Sequence, residues 1–223
     1  MNVRRLTALV VLVAFHASPQ TLKRRSAQAA ADSPVGHWAA EHTSMGGIGS
    51  WWDFRADGTF TMYIGAMVTS PYTHSGNSIT LPPATADGKG GPSTIRFAGD
   101  KLYIKSAGEP EMSFTRLDAA PSATDPLLGK WRPDPPAAPS DDPQVAMMQR
   151  LAPSARYVFS PNGTVSLRIP FTKKEGAWDA SAHTFRFKSD TRAYSMALAE
   201  GKLVLGQPPN NVKTDTYVSD PIQ

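Results

Sequence analysis

Apolar and polar residues alternate along most of this chain with a period of two. Phe60, Met62 and Ile64 point to one side of an extended segment, and the residues between them point to the other side. The same alternation returns at Val165 and Leu167. Alternation of this kind predicts β-strands that bury one face. The predicted fold class is therefore all-β, with short antiparallel strands.

The pattern predicts two successive sets of such strands. In the first half they lie near 51–55, 59–65, 71–75, 77–81, 93–98, 101–105 and 111–117. In the second half they lie near 155–160, 164–169, 173–178, 183–188, 193–199, 202–206 and 213–218. Short strands at this spacing favour an up-and-down barrel in each half, because closure removes exposed sheet edges.

Four landmarks recur in the same order in the two halves, which indicates an internal repeat. They are a Gly-x-Trp segment, a hairpin with Asp-Gly or Asn-Gly, a hairpin ending in Lys-Leu, and a closing aromatic strand. The first copy has them at Gly36-His37-Trp38, Asp57-Gly58, Lys101-Leu102 and Phe114, and the second at Gly129-Lys130-Trp131, Asn162-Gly163, Lys202-Leu203 and Tyr217. We expect two tandem domains, 35–118 and 127–220, joined by a linker at 119–126. A single continuous sheet would contradict this division.

The second copy carries an insertion between Trp131 and Phe159. Asp142 followed by Pro143 is a typical helix start. Apolar residues at Val145, Met148 and Leu151 form a stripe, and Pro153 ends the segment. The sequence predicts one short helix here, whereas the first copy has a flexible loop at 44–50.

The Gly-x-Trp segment, the Asp-Gly-Thr-Phe hairpin, the Gly76-Asn77 turn and the Asp-Lys-Leu hairpin together resemble small bacterial lipocalin-like (calycin-type) domains. The resemblance spans nearly all of each copy. It implies that the tryptophan plugs the floor of a barrel and that the glycine lets the chain pass beneath it. The residues to which these roles carry over are Gly36, Trp38, Gly129 and Trp131.

The N-terminus predicts export. Arg4 and Arg5 precede an uncharged apolar stretch, 6–17, and small residues suited to cleavage follow near Ala29. This stretch is too short to span a bilayer, so we expect a signal peptide at 1–29, a periplasmic or secreted location, and no transmembrane span in the mature chain. The segment holds five basic residues and no acidic ones, so removing these charges from the formal +4 leaves −1. A nearly neutral mature chain gives no reason to expect nucleic-acid binding.

Candidate chemistry is sparse. The chain has no cysteine, which excludes disulfides and thiolate sites. His37, His42 and Met45 offer soft ligands that would suit copper, but methionine commonly fills irregular cores, so we predict no metal and no cofactor. The Gly-x-Ser-x-Gly nucleophile elbow is missing from the sequence. We therefore predict a protein that is not an enzyme, with a hydrolase kept as the last alternative and no catalytic residue assigned.

The predicted function is a binding protein of the cell envelope that holds a hydrophobic small molecule in a β-barrel, with the short helix as a lid. The adjacent Trp51 and Trp52 should point to opposite faces of a strand, one into the core and one exposed or at a mouth. The candidate ligand-binding residues are Val145, Met147, Met148, Leu151, Trp178 and Trp51. The alternative is a structural or protein-interaction module with filled barrels that binds an envelope protein through its surface. Ligand identity and oligomeric state stay open.

Overall fold

The described part of the chain folds into fifteen antiparallel strands and one short α-helix. A computed structural model describes residues 33–81, 91–119, 125–136, 140–206 and 214–222, apart from the side chains of Gln144, Val145 and Met148. The strands are β1 (Gly36–Ala40), β2 (Ile48–Phe54), β3 (Thr59–Pro71), β4 (Thr73–Ser75), β5 (Ser78–Thr80), β6 (Pro92–Ala98), β7 (Lys101–Lys105), β8 (Met112–Arg116), β9 (Gly129–Pro133), β10 (Arg156–Phe159), β11 (Thr164–Asp179), β12 (Thr184–Phe187), β13 (Tyr194–Ala199), β14 (Lys202–Gly206) and β15 (Thr214–Ser219). The helix α1 (Pro143–Leu151) is followed by a 3-10 turn, Ala152–Ser154.

The all-β prediction is confirmed, and so are the predicted hairpin turns and the helix. Gly58 and Gly163 adopt φ of 79° and 78°, the left-handed region that glycine enters at little cost. In both turns the residue before glycine caps the next strand, since Asp57 and Asn162 accept the backbone N–H of the threonine two residues on. Two predicted strands are wrong in extent, because 164–169 and 173–178 are parts of the single strand β11.

Strands of both repeats pair within one continuous sheet. The first strand, β1, pairs with the last strand, β15, as well as with β2. At the centre, β3 of the first repeat pairs antiparallel with β11 of the second, from Thr59↔Ala177 to Pro71↔Thr164. We call this two-stranded segment the central ribbon. It makes the two repeats interdependent, because neither of them provides all the pairing partners of its own strands.

One end of the sheet closes into an eight-stranded ring, which we call ring A. It contains β1, β2, residues 59–65 of β3, residues 172–179 of β11, and β12 to β15. The pairing of β11 with β12 closes it. Ring A therefore combines the first three strands of repeat one with the later strands of repeat two. Its core is aromatic and contains Trp38, Trp52, Phe54, Phe60, Phe185, Met196, Leu203, Leu205 and Tyr217.

The remaining strands form a second ring, ring B, which combines the later strands of repeat one with the first strands of repeat two. It contains residues 66–71 of β3, β4 to β10, and residues 164–169 of β11. Tyr72 alone separates β3 from β4, so the continuous chain completes this ring. The core of ring B contains Ile79, Ile95, Leu102, Ile104, Phe114, Leu127, Trp131, Phe159 and Val165.

The mixing of strands from both repeats in each ring bears on the predicted division into two tandem domains. Residues 34–223 form one compact unit, and the two repeats are interleaved in it rather than laid end to end. The division into two tandem domains is thus not confirmed. The reason is that β3 and β11 are long enough to cross from one ring into the other. Matching backbone bonds mark the two ends of the central ribbon, from Tyr72 N–H to the Gly163 carbonyl (3.0 Å) and from Trp178 N–H to the Gly58 carbonyl (2.8 Å).

The centre of the ribbon requires a glycine. A Cβ at Gly65 would overlap the carbonyl oxygen of Ile169 and lie 2.7 Å from Cα of Pro170. Beside this contact the register shifts between Pro170 and Thr172, which leaves Phe171 as a bulge. The close approach and the bulge together bend the ribbon where it passes from one ring to the other.

The outer face of the ribbon is also covered. Trp51 is 1% exposed although it points away from the interior of ring A, and its ring stacks on Tyr63 with centroids 5.5 Å apart. Trp52 faces the interior of ring A and is 3% exposed, so both tryptophans are buried and they point to opposite faces of β2. Trp51, Ala39 and Met67 form a small apolar cluster. A buried ion pair, Arg168 with Asp220 at 3.5 Å, joins the ribbon to the end of β15.

The interleaving predicts how the chain behaves after cleavage between the repeats. A protease site introduced into 120–124 and cut should leave fragments that stay together under native conditions, because each ring needs strands from both. Native size-exclusion chromatography and denaturing electrophoresis would check this. Separation of two folded fragments would show instead that each repeat folds alone.

Gly65 should be intolerant of even one methyl group. We expect Gly65→Ala to lower the free energy of unfolding by about 2–4 kcal/mol, because the partner backbone would have to move. Gly91→Ala is the matched control, since a Cβ there meets nothing within 4 Å, and it should cost less than about 0.5 kcal/mol. Urea unfolding followed by tryptophan fluorescence measures both. Equal effects would contradict the proposed close approach.

Candidate functional site

Among the described residues, the interior of ring A opens at one end, which we call the mouth of ring A; residues 207–213, between β14 and β15, lie outside the described part of the chain. The loops at 41–47 and 188–193 lie at this end, and the tight turns at 55–58 and 180–183 lie at the other end. Trp38 lies in the ring A core, and its Nε1–H donates to the Pro34 carbonyl at 2.7 Å. Phe54 and Phe60 pack in the same cluster. These aromatic rings fill the closed end.

Two adjoining cavities occupy the mouth of ring A. One has a volume of about 440 Å³ and lies beside Ala40, Ser50 and Ile64. The other has a volume of about 230 Å³ and is lined by Trp52, Phe185, Phe187, Tyr194 and Leu205, among others. Met62, Asp215 and Tyr217 line both cavities. The smaller cavity therefore offers space beside an aromatic surface, which suits an apolar group, whereas polar and aliphatic side chains share the border of the larger cavity.

The aromatic surface is held by ring-to-ring packing. Trp52 lies 5.3 Å from Phe185 and 5.8 Å from Phe187, measured between ring centroids. Tyr194 stacks on Phe185 at 5.0 Å and meets Phe187 edge-on at 5.4 Å. Stacked and edge-to-face pairs of this kind limit the orientations that each ring can adopt. The lining is preorganised.

Polar groups also line the mouth, and one pair of hydroxyls lies between its walls. The Ser50 and Tyr217 hydroxyls share a hydrogen bond of 3.0 Å across the interior. Burial raises the pKa of Tyr217, and the bond to Ser50 opposes this shift. The Tyr217 hydroxyl therefore stays protonated at neutral pH and offers a neutral donor or acceptor.

Charged groups lie at the rim. Lys174 and Arg192 border the smaller cavity on the side of β11, β12 and β13, and Asp215 borders it from β15. Asp190 accepts hydrogen bonds from Arg192, at 2.6 Å to Nη2, and from the Tyr194 hydroxyl at 2.7 Å. The Arg192 hydrogen bonds hold the pKa of Asp190 well below its usual range, and the bond to Asp190 raises the pKa of Tyr194. Arg192 is thereby fixed beside the mouth.

Ring B differs at the equivalent end. The β9–β10 connection begins after Pro133 and contains α1, which packs against β11 and the 3-10 turn. The core side chains of ring B include Leu102 and Trp131 at 0% exposed. Trp131 Nε1–H donates to the Leu127 carbonyl at 2.8 Å, and the Arg116 guanidinium lies 4.2 Å from the Trp131 ring centroid. The described core of ring B is thus buried from solvent, and a cation covers its tryptophan.

The structure does not bring the sequence-predicted ligand residues together. Trp178 lies at the closed end of ring A, where Nε1–H donates to the carbonyls of Arg55 and Thr59 at 3.1 and 3.2 Å. Trp51 lies in the outer cluster. Met147 and Leu151 are on α1, with Met147 48% exposed. The side chains of Val145 and Met148, also on α1, lie outside the described part of the chain.

The four residues predicted at the barrel floors occupy matching places. Trp38 and Trp131 both donate their indole N–H to a carbonyl four residues earlier. Gly36 and Gly129 both have positive φ, 140° and 123°. At Gly129 a Cβ would lie 2.6 Å from the Arg116 side chain, so the glycine makes room for the cation that covers Trp131.

The predicted copper-type ligands do not converge. His37 forms an ion pair with Asp53 on neighbouring strands, His42 borders the larger cavity, and Met45 is fully exposed. Across the described ranges, His, Asp and Glu side chains form no group of three suited to a metal ion. Helices in the same ranges include none with the length and apolarity needed to cross a membrane.

Sequence reasoning missed the residues that border the mouth of ring A, above all Lys174. Counting alternation onward from Val165 and Leu167 places Lys173 inside and Lys174 outside. The bulge at Phe171 reverses this, so Lys174 is opposite the inward-facing Met62 and Lys173 is opposite the outward-facing Tyr63. Pro170 is the feature of the sequence that could have indicated the bulge, because proline has no backbone N–H to donate to a neighbouring strand.

Comparison with known proteins gives no match: no family model, no curated protein and no solved structure is significantly similar to this chain. The resemblance to lipocalin-like domains therefore remains a prediction that rests on the sequence landmarks.

Proposed function

We propose that this protein is a non-enzymatic binding protein that holds a hydrophobic small molecule at the mouth of ring A. The observation that carries the proposal is the cavity of about 230 Å³ against Trp52, Phe185 and Phe187, beside a second cavity of about 440 Å³. A preformed aromatic surface next to open volume binds apolar molecules with little loss of side-chain freedom.

The difference between the two rings supports different roles for them. Ring B has α1 in the connection that borders its mouth, and its described core side chains are buried from solvent. Ring A has only the short connection at 41–47 in the equivalent place. We propose that ring B stabilises the molecule through the shared ribbon and that ring A binds the ligand.

We also propose that the chain is exported and acts in the periplasm or outside the cell, and that its barrels are of the lipocalin-like, calycin type. The support is the basic and apolar N-terminal pattern, which falls within residues 1–32, outside the described part of the chain.

Filling the mouth should abolish ligand binding. Met62 lines both cavities, and we expect Met62→Trp to weaken the binding of an apolar fluorescent probe at least tenfold, because the larger side chain occupies the cavity. Probe titration and thermal shifts with a series of alkyl-chain ligands measure this. Met112→Trp is the matched control, since Met112 is 47% exposed on ring B, and it should bind like the unmodified protein.

Two results would defeat the proposal. One is the absence of saturable binding and of thermal stabilisation by every apolar ligand tested. The other is equal binding by Met62→Trp and the unmodified protein. Specific capture of an envelope protein in either case would favour the interaction-module alternative.

Export predicts a shortened mature chain. When the full-length sequence is expressed in a bacterial host, N-terminal sequencing of protein from the periplasm or medium should find a start near residue 30, because the small residues there suit signal peptidase. Intact protein confined to the cytoplasm would overturn the localisation.

A further inference from the structure

We infer that the ligand of ring A carries an anionic group, such as a carboxylate, which Lys174 and Arg192 bind while its apolar part lies against Trp52 and Phe187. This inference rests on the proposed function and specifies the class of ligand. It comes from two cations that border the smaller cavity and from the aromatic surface beside them.

Lys174 is the first donor. It lies on the inward face of β11 opposite Met62, and its amine is 5.5 Å from the Phe187 ring centroid. Within the ranges that the structure describes, no carboxylate pairs with Lys174, although the neighbouring Lys173 pairs with Glu175 at 2.7 Å. A cation above an aromatic ring at the rim of a cavity attracts an anion from solvent and leaves the ring face to an apolar group.

Arg192 is the second donor. Its guanidinium lies 5.7 Å from the Tyr194 ring centroid, and its Nε and Nη2 donate to Asp190. The group is held in place by these bonds and retains N–H donors on Nη1. A guanidinium that is already oriented and still has free N–H groups binds a carboxylate better than a mobile guanidinium does. The reason is that less side-chain entropy is lost on binding.

Trp52 supplies the apolar surface. It is 3% exposed, and its ring lines the smaller cavity. Its Nε1–H is shut off from solvent and acts on the Tyr217 hydroxyl, whose pKa it lowers against the effect of burial. The indole ring thus offers the ligand an apolar contact and no hydrogen bond.

Carboxylates also lie at the mouth. Asp190 accepts the Arg192 hydrogen bonds and offsets that charge. Lys174 and Phe187 come from the neighbouring strands β11 and β12, and Asp190 and Arg192 come from the connection that follows β12. Asp215 is on β15, which β14 separates from β13 in the order of the ring. Two cations and one carboxylate leave a net positive charge on the aromatic side, away from Asp215, and this arrangement favours an anion there over a cation.

A matched series of ligands tests the inference. Dodecanoate, dodecanol and dodecylammonium share one alkyl chain and differ in charge, and each is used below its micelle-forming concentration. Displacement of the apolar probe should show dodecanoate binding about tenfold more tightly than dodecanol, with dodecylammonium weakest, because a charge-assisted hydrogen bond outweighs a neutral one. The preference should shrink as salt is added.

Variants assign the effect to the named residues. Lys174→Gln should weaken dodecanoate binding about five- to tenfold and leave dodecanol binding unchanged. Lys173→Gln is the matched control, since it removes the same charge from the outward face of the same strand, and it should change neither. Asp215→Asn should tighten dodecanoate binding.

The outcomes separate this inference from the proposed function. Equal binding of dodecanoate and dodecanol, tightest binding of dodecylammonium, or equal effects of Lys174→Gln and Lys173→Gln would overturn the anionic ligand and leave the apolar site standing. If none of the three ligands displaces the probe and the probe itself does not saturate, both proposals fall.

Discussion

The antiparallel pairing of β3 with β11 is the interaction on which the rest of the structure depends. Both strands run through both rings, so the same backbone hydrogen bonds hold repeat one to repeat two and close each ring. The pairing is possible only because Gly65 lets the Ile169 carbonyl approach its Cα so closely. Loss of this contact would disturb the two cores together, since neither ring has an independent set of strands.

Sharing strands lets the two rings differ without losing stability. Ring B buries core side chains such as Ile79 and Leu102, both 0% exposed. Ring A keeps space at its mouth, where Ser50, Asp215 and Lys174 replace apolar core residues. Open volume costs packing energy, and the ribbon couples the open ring to one whose buried core offsets this cost. A binding site and a stable scaffold thus occur in one interleaved unit.

The mouth of ring A joins two properties that favour recognition of an amphiphilic molecule. Its aromatic lining is fixed by contacts among Trp52, Phe185, Phe187 and Tyr194. Its charged rim is fixed by the bonds from Arg192 and Tyr194 to Asp190. Preorganisation of both parts means that little conformational freedom remains to be lost on binding. The division of charge across the mouth then sets the orientation of a ligand.

The sequence by itself determined the all-β class, the tight turns at Gly58 and Gly163, the repeat and the helix after Pro143, because these depend on local backbone preferences and on alternation along one strand. It also placed Trp38 and Trp131 in equivalent positions. The tertiary structure alone decided which strands share a ring. Alternation with a period of two predicts that a segment is a strand, but it does not say which distant strand becomes its pairing partner. It likewise decided that Lys174 points inward, since a single bulged residue, Phe171, reverses the alternation that precedes it.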